Sequence, residues 1–390
     1  MIGDIVATLA LVIWIYLMAV HGGFWRADVR DDRAEPAPPA AWPRVVAVIP
    51  ARDEVETLGT TIGSLLGQRY AGQFSVVLVD DESHDGTAAA ARAAADAAGA
   101  ADRLTVLAGR PLPEGWTGKL WAVNQGIAQA TQSGAPDYLL LTDADITYAP
   151  DALAHLVARA AAGGTVLTSL MAKLRCESLA ERWFVPAVVY FFQMLYPFAW
   201  VNRPSIKMAG AAGGCMLVRP QALQAAGGIA AIRGALIDDC ALGAALKKQG
   251  PIWLGLTERV MSDRPYEHVD DIRRMVARSA YAQLGYSPLM LFGAVLGLGM
   301  TFLAAPIVTI AGHGSARLIG ATAWLLMAIS YQPMLAFYRR SPLWGPLLPA
   351  VALAYMAFTL DSAYQHVRGR GGMWKGRVQA QLATKTAEQK

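Results

Sequence analysis

The chain has 390 residues, 54% of them apolar and 16% charged, with a mean hydropathy of +0.32; soluble domains carry about 25% charged residues, so an ordinary water-soluble enzyme is disfavoured. The 34 basic and 30 acidic side chains leave only +4, spread along the chain, without the one-sided Lys and Arg face of a nucleic-acid binder, and no nucleic-acid partner is expected. Three cysteines, Cys176, Cys215 and Cys240, are odd in number and lack CxxC spacing, which argues against a disulfide framework or zinc site and for small core residues in a reducing compartment.

Residues 5–25 contain no Asp, Glu, Lys or Arg, and about 20 apolar residues cross a bilayer core. Asp4 before this run and HGGFWR after it do not fit a cleaved signal peptide, so 1–25 reads as an uncleaved transmembrane anchor. Arg26, Arg30, Arg33 and Arg44 follow the run and no base precedes it, which places the following chain in the cytoplasm. Residues 26–44, including AEPAPPAAWP, read as a semi-extended Pro/Ala linker.

Residues 45–285 have the composition of a globular domain. Short β-branched runs at 45–49, 74–79, 104–107 and 138–142 alternate with Ala-rich helical segments near 57–66, 86–98, 119–132 and 150–162. That alternation implies an α/β unit with a parallel sheet and helices on both faces. Ligands of such sheets sit beyond the carboxyl ends of strands. There the chain is acidic: Pro50-Ala51-Arg52-Asp53-Glu54 after the first run, Asp80-Asp81-Glu82-Ser83-His84-Asp85 after the second, Asp143-Ala144-Asp145 after the fourth. Carboxylates at i and i+2 on an extended strand end point the same way, as a hard cation bridging phosphates requires. Any one cluster also reads as ordinary turn and N-cap chemistry; three on one sheet edge favour a site.

Residues 183–201, aromatic-rich with Pro186 and Pro197 inside, read either as an interfacial segment that docks the domain on the bilayer beside a lipid acceptor or as a buried core helix. Charge-free runs at 289–311, 318–338 and 341–360 are each about as long as a bilayer is thick, and 286–362 reads as a hydrophobic membrane region. Three crossings from a cytoplasmic domain put the basic tail 363–390 outside, against the positive-inside bias. Either the third run, with Pro346 and Pro349, is re-entrant or interfacial, or the bias fails here.

These motifs resemble the family 2 glycosyltransferases. VIPARDE is similar to that family's opening strand and turn, VDDESHDGT to its nucleotide-binding VDDGSxDGT, and TDADI to its DxD motif. GWTGKLWAVNQG, IKMAGAAGGCMLVRPQAL, LIDDCALGAALKKQG and RPYEHVDDIRRMVARSAYAQL make the chain resemble most the hopanoid-biosynthesis-associated glycosyltransferases of bacteria, over nearly its whole length. The resemblance implies the nucleotide-diphospho-sugar transferase (GT-A) fold with a mixed, mainly parallel sheet, transmembrane helices at both ends, and a bacterial inner-membrane location.

Carried over residue by residue, it implies that Asp80 and Asp81 hold the base and ribose of a nucleoside-diphosphate sugar, with Pro50, Arg52 and Glu54 lining the pocket. Asp143 and Asp145 would contact Mg²⁺ or Mn²⁺ and, through it, the diphosphate, a Lewis-acid arrangement. Lys119 reads as a phosphate contact or as a solvated helix lysine. In the acidic pair Asp238-Asp239 the resemblance points to Asp239 as general base, with Asp238 second; Asp238 also suits a helix cap. Base and leaving diphosphate on opposite faces imply single displacement with inversion. Gly213-Gly214-Cys215 reads as an acceptor loop or as a core turn. Arg274 and Arg278, one helical turn apart, face either the diphosphate or solvent. The QxxRW motif of processive polysaccharide synthases is missing, which disfavours polymerisation. Trp374-Lys375-Gly376-Arg377 resembles a tail motif of membrane transferases.

The leading reading is therefore a membrane-bound inverting glycosyltransferase acting on a hydroxyl of a lipid, with hopanoid as the acceptor the resemblance implies. A lipid-linked nucleotidyltransferase would share the acidic ligands but want a Gly- and Lys/Arg-rich triphosphate loop. A non-catalytic membrane scaffold that binds nucleotide sugar would not need both the DxD pair and Asp238-Asp239.

Overall fold

A computed structural model describes residues 1–132, 134–374 and 377–378. The described chain divides into two compact units. One comprises Met1–Asp28, Cys176–Ala199 and Tyr266–Met373; the other is built on Val29–Arg175 and Trp200–Pro265.

The second unit is organised by an eight-stranded sheet. Its strands are β1 (Val45–Ala51), β2 (Phe74–Asp80), β3 (Leu104–Ala108), β4 (Tyr138–Thr142), β5 (Ile146–Tyr148), β6 (Leu167–Leu174), β7 (Cys215–Val218) and β8 (Ile252–Ser262), in the order β3-β2-β1-β4-β7-β6-β8-β5. The pairs β1–β2, β1–β4, β2–β3 and β6–β8 are parallel; β4–β7, β6–β7 and β5–β8 are antiparallel. The sheet is therefore mixed and mainly parallel. All seven residues of β1 are buried, because its β-branched run is covered on both faces, as parallel strands require. Helices Val55–Leu66, Thr87–Ala97, Gly118–Gln132 and Ala152–Gly163 fall where the alternating pattern predicts them. Gly126 lets Gly118–Gln132 lie close on the sheet: a Cβ there would stand 2.4 Å from Val48 Cγ1 and 3.1 Å from Val79 Cγ2. β1 lies between β2 and β4, so the chain order reverses there, and a crevice opens beyond the carboxyl ends of β1 and β4.

The start of the expected semi-extended linker is docked on this unit. Asp31 N–H donates to the Leu256 carbonyl (3.0 Å) and Leu256 N–H to that of Val29 (2.9 Å). The buried Asp31 carboxylate accepts from Thr257 Oγ1 at 2.9 Å, and Arg159 donates to the carbonyls of Asp31 and Ala34. The Pro/Ala run begins at Ala34, the last residue of this tie.

In the first unit, four helical stretches are long and apolar enough to cross a membrane: Ile2–Ala19, Pro288–Ala311, Gly314–Phe337 and Pro342–Val367. Ile2–Ala19 turns Ala7, Ala10, Trp14 and Leu17 inward and exposes Ile2, Ile5, Leu9 and Val12, an apolar outer stripe at helical spacing. Trp14 Nε1–H donates to the Thr301 carbonyl at 2.7 Å, inside the π-helical turn Gly299–Leu303; a π-bulge shifts the local bonding ladder.

Contacts within this unit order the helix ends. Ser315 donates to Asp4 at 2.7 Å, so Ile2–Ala19 and Gly314–Phe337 begin at the same end. The turn at 312–313 reverses the chain, and Gly320 lies against Ala305 and Thr309, so Pro288 shares the opposite end with Phe337. From there the 3₁₀ turn Pro342–Leu347 follows the preceding helix inward: Gln332 donates to the Pro342 carbonyl at 3.2 Å and Trp324 to that of Pro346 at 3.0 Å. Those donors are eight helical positions apart, a descent of about 12 Å. The helix Leu348–Val367 then comes back. Asp361 pairs with Arg273, Ser362 Oγ accepts from Tyr281 N–H at 3.0 Å, and His366 stacks on Tyr286 with ring centroids 4.3 Å apart. Residues 273–286 directly precede Pro288, so both ends of Pro342–Val367 lie at one end of the bundle. The segment is long enough to cross but turns back.

The helix Leu179–Leu195 buries Val185, Pro186, Ala187, Val189, Tyr190 and Gln193. Tyr190 bonds Ser330 at 2.7 Å and Phe191 packs on Phe302 and Tyr355. The core-helix alternative describes it. Glu181, fully buried, accepts from the backbone N–H of Glu177 (2.7 Å), Ser178 (2.8 Å) and Tyr266 (2.8 Å). It thereby ties residues 176–199 and 266 onward into this unit, so the stretch 45–285 does not fold as one contiguous body.

Candidate active site

The loops after β1 and β2 interlock. Asp53 N–H donates to Ser83 Oγ (3.0 Å), and Asp53 Oδ1 accepts from His84 N–H (2.8 Å). Asp53 and Glu82 both adopt left-handed backbone, with φ of 50° and 57°, a strain of order 1–3 kcal/mol each that clusters at functional loops. Asp80 Oδ1 accepts from Ser83 N–H at 3.1 Å, the turn chemistry anticipated as its alternative role. Asp81 is 1% exposed; its carbonyl takes Arg52 NH1 at 2.6 Å, and its carboxylate lies 3.7 Å from the same nitrogen. Among the described residues, Arg52 Nε is buried without a hydrogen-bond partner. Asp85 turns to Val55 N–H (3.0 Å) and Thr87 N–H (2.9 Å), joining the starts of two helices.

At the crevice beyond β1 and β4, Lys119 from the first turn of Gly118–Gln132 lies 2.8 Å from Asp143 and 3.1 Å from Asp238. It is therefore no solvated helix lysine. A pocket of ≈ 320 Å³, its open mouth included, is lined by Pro50, Lys119, Asp143, Gly213 and Asp238 among others. Burial works to lower the Lys119 pKa, but Asp143 and Asp238 outweigh it and the net shift is upward. Burial, opposed by Lys119 and reinforced by Asp145, raises the Asp143 carboxyl.

The second DxD carboxylate has its own cation. Arg264, two residues past β8, donates Nε to Asp145 Oδ2 at 2.7 Å and NH2 to Glu54 Oε1 at 2.8 Å. Sequence reasoning missed Arg264. The motif RPYEH carried it, but nothing in one chain shows that a residue 119 positions after Asp145 returns to it.

Asp238 and Asp239 open the helix Asp238–Lys247. Ile237 is the N-cap residue and Asp238 the first residue of the helix; its carboxylate turns to Lys119, so the capping alternative does not describe it. Asp239 takes the backbone donors: Oδ1 accepts from Cys240 N–H (2.7 Å) and Oδ2 from Gly213 N–H (3.0 Å). Burial first, then the Asp238 charge, pushes its carboxyl up to about 6. Gly213 thus faces the site, and a Cβ on it would stand 3.5 Å from both Asp239 Oδ2 and Lys119 Nζ. Gly214 and Cys215 follow the core-turn alternative: a Cβ at Gly214 would meet Ile146 Cδ1 at 3.0 Å, and burial pushes the Cys215 thiol up to about 12.

Arg274 is 64% exposed and pairs with Asp270 (3.0 Å) and Asp271 (2.6 Å) on its own helix; Arg278 is exposed. The solvated-face alternative describes both. In the tail motif Trp374-Lys375-Gly376-Arg377, Lys375, Gly376 and the side chains of Trp374 and Arg377 lie outside the described residues.

Asp143 and Asp145 would supply two carboxylates to an ion, and no group of three or more His, Cys, Asp or Glu placed to hold a metal exists among the described residues. Two hard oxygen ligands suit a Mg²⁺ or Mn²⁺ ion that completes its shell with phosphate and water rather than an all-protein cage. The residues fit such an ion.

The mixed sheet with acidic strand ends and a carboxylate-lined crevice has the GT-A-like fold. More particularly, residues 46–227 match the family described as Glycosyl transferase family 2. Among solved structures, a mannosyltransferase from Pyrobaculum calidifontis in complex with GDP-Man and Mn²⁺ is similar at a TM-score of 0.54 and 19% identity, over 90% of this chain and 99% of that one. At that identity the likeness concerns the fold. Glucosyl-3-phosphoglycerate synthase from Mycobacterium tuberculosis, in complex with Mn²⁺, UDP-Glc and glycerol 3-phosphate, matches at 0.38 and 18% identity, over 62% of this chain and 79% of that one. Mannosyl-3-phosphoglycerate synthase from Rubrobacter xylanophilus matches at 0.37 and 17% identity, over 63% and 76%. A search of curated proteins found no match.

Proposed function

We propose that the protein is a membrane-bound inverting glycosyltransferase that moves a sugar from a nucleoside-diphosphate donor to a hydroxyl of a lipid acceptor. The observation that carries this reading is Lys119, which joins the DxD residue Asp143 and the acidic-pair residue Asp238 across one pocket. Donor-side and acceptor-side chemistry thereby meet within one side chain's reach. The similar fold solved with GDP-Man and Mn²⁺ supports a nucleotide-sugar donor and a divalent ion.

In this reading Arg52, Asp80 and Asp81 hold the nucleoside, and Asp143 and Asp145 are the protein ligands of Mg²⁺ or Mn²⁺. The ion supplies Lewis-acid neutralisation of the charge that builds on the departing diphosphate. Asp239, oriented by Gly213 N–H and Cys240 N–H, takes the proton from the acceptor hydroxyl. As that oxygen bonds to the anomeric carbon, the bond to the diphosphate breaks on the opposite face, which gives inversion. A carboxyl held up to about 6 is ionised at neutral pH yet basic enough to accept a proton in the transition state.

Membrane attachment is supported by the four apolar helices and their exposed Ile, Leu and Phe side chains, which lipid would cover at no hydrophobic cost. We read Pro342–Val367 as re-entrant, which keeps Arg368 and Arg370 on the side of Arg26 and Arg30 and satisfies the positive-inside bias. The catalytic domain then faces the cytoplasm. Lipid as acceptor class follows from the membrane location, and hopanoid from the sequence resemblance. The test incubates membranes containing the protein with radiolabelled UDP- and GDP-sugars. Label should enter the lipid fraction with Mn²⁺ or Mg²⁺, and should not with EDTA or with Asp239→Asn membranes. No lipid labelling from any donor would reject the proposal.

A further inference from the structure

Each DxD carboxylate is held by one basic side chain, and each of those side chains also holds a second carboxylate. Lys119 spans Asp143 (2.8 Å) and Asp238 (3.1 Å); Arg264 spans Asp145 (2.7 Å) and Glu54 (2.8 Å). We propose that Lys119 and Arg264 are paired counter-cations that stand in for the divalent ion in the free enzyme and move onto the donor's diphosphate when ion and nucleotide arrive together. The inference rests on the proposed function and assigns to Arg264 a role in donor binding.

The argument is electrostatic. Asp145 lies close enough to Asp143 to help raise its carboxyl, and two adjacent carboxylates, one buried and one partly buried, need compensation. Lys119 and Arg264 cancel their charge. A divalent ion entering alone would have to break both ion pairs and would then sit beside two displaced cations, so its attraction to the carboxylates is largely offset. A diphosphate removes that conflict: its oxygens complete the ion's shell and accept from the ammonium and the guanidinium, whose fork suits phosphate bidentately. Asp238 and Glu54 keep the two cations within reach during the exchange. Ion and nucleotide therefore bind as mutually dependent ligands, and by linkage each tightens the other by the same factor.

The test measures Mn²⁺ binding by electron paramagnetic resonance on the full-length protein in lipid nanodiscs, alone and with GDP or UDP. Wild-type protein should bind Mn²⁺ at least tenfold more tightly with one of the diphosphates than without. Arg264→Gln should bind Mn²⁺ about tenfold more tightly than wild type without nucleotide and lose most of the coupling; Arg264→Lys, which keeps the charge, should retain it. Thermal unfolding of each variant checks that it is folded. Equal Mn²⁺ affinity with and without both nucleotides, or Arg264→Gln with wild-type affinity and coupling, would overturn the inference while leaving the ion site in place. Mn²⁺ binding unaffected by Asp145→Asn under every condition would instead reject the assignment of the ion site, and this inference with it.

Discussion

Replacing Asp239 by Asn keeps the side chain's shape and removes its basicity. With the carboxyl held up to about 6, the ionised fraction falls from about nine-tenths at pH 7 to about one-tenth at pH 5, so kcat/KM of the wild type should drop about tenfold over that interval. The variant should lose roughly 10²–10⁴ in kcat, the usual worth of a positioned base, and its residual rate should have no inflection near pH 6. Donor affinity should change little, because among the described residues the Asp239 carboxylate bonds the backbone N–H groups of Gly213 and Cys240. One of those donors would face the new amide NH₂, at a cost of about 1–3 kcal/mol in stability. The stability sign runs the other way from activity. A carboxyl raised from 3.8 to about 6 contributes stability below pH 4 that is lost as pH rises through 6, at most about 3 kcal/mol. The assay is single-turnover transfer in nanodiscs from pH 5 to 8, with donor binding measured by calorimetry. A variant within twofold of wild type, or one that keeps the pH 6 inflection, would refute the assignment of the base.

Lys119→Met removes the cation that opposes the rise of Asp143 and Asp239, so the pH–rate inflection should move above 6, read from the same profile; an unchanged inflection would contradict the electrostatic account. Gly126→Ala sets a helix-propensity gain of about 1 kcal/mol against overpacking of about 1–3 kcal/mol, and overpacking should win because Val48 and Val79 are wholly buried. Thermal unfolding should show a lower Tm. In a background without the three native cysteines, Ser341→Cys and Arg370→Cys should react with a membrane-impermeant maleimide from one side and His313→Cys from the other. Arg370→Cys labelling together with His313→Cys would mean that Pro342–Val367 crosses.

By itself the sequence determined the first half of the sheet. The β-branched runs that became β1 to β4 and the Ala-rich helices between them were legible because a parallel strand buried on both faces must be apolar throughout, and a covering helix must show its 3.6-residue period. β5 to β8 were not read, since β7 spans only Cys215–Val218 and β8 pairs with β5 and β6 from far along the chain. The carboxylates of the site were visible as acidic strand ends, and Gly213 as a loop glycine. Their partners were not: Lys119 had a solvated reading of nearly equal standing, Arg264 none at all, and Asp238 read as a second-choice base or a helix cap. Apolar length likewise foretold four membrane-scale segments and left the third carboxy-terminal run either re-entrant or spanning; the contacts of Trp324, Tyr281 and Tyr286 decide that it turns back. Local chemistry and periodicity are written in neighbouring residues, so the chain displays them; which cation meets which carboxylate, and where a helix ends relative to its neighbours, depends on packing between distant segments, and only the folded molecule decides it.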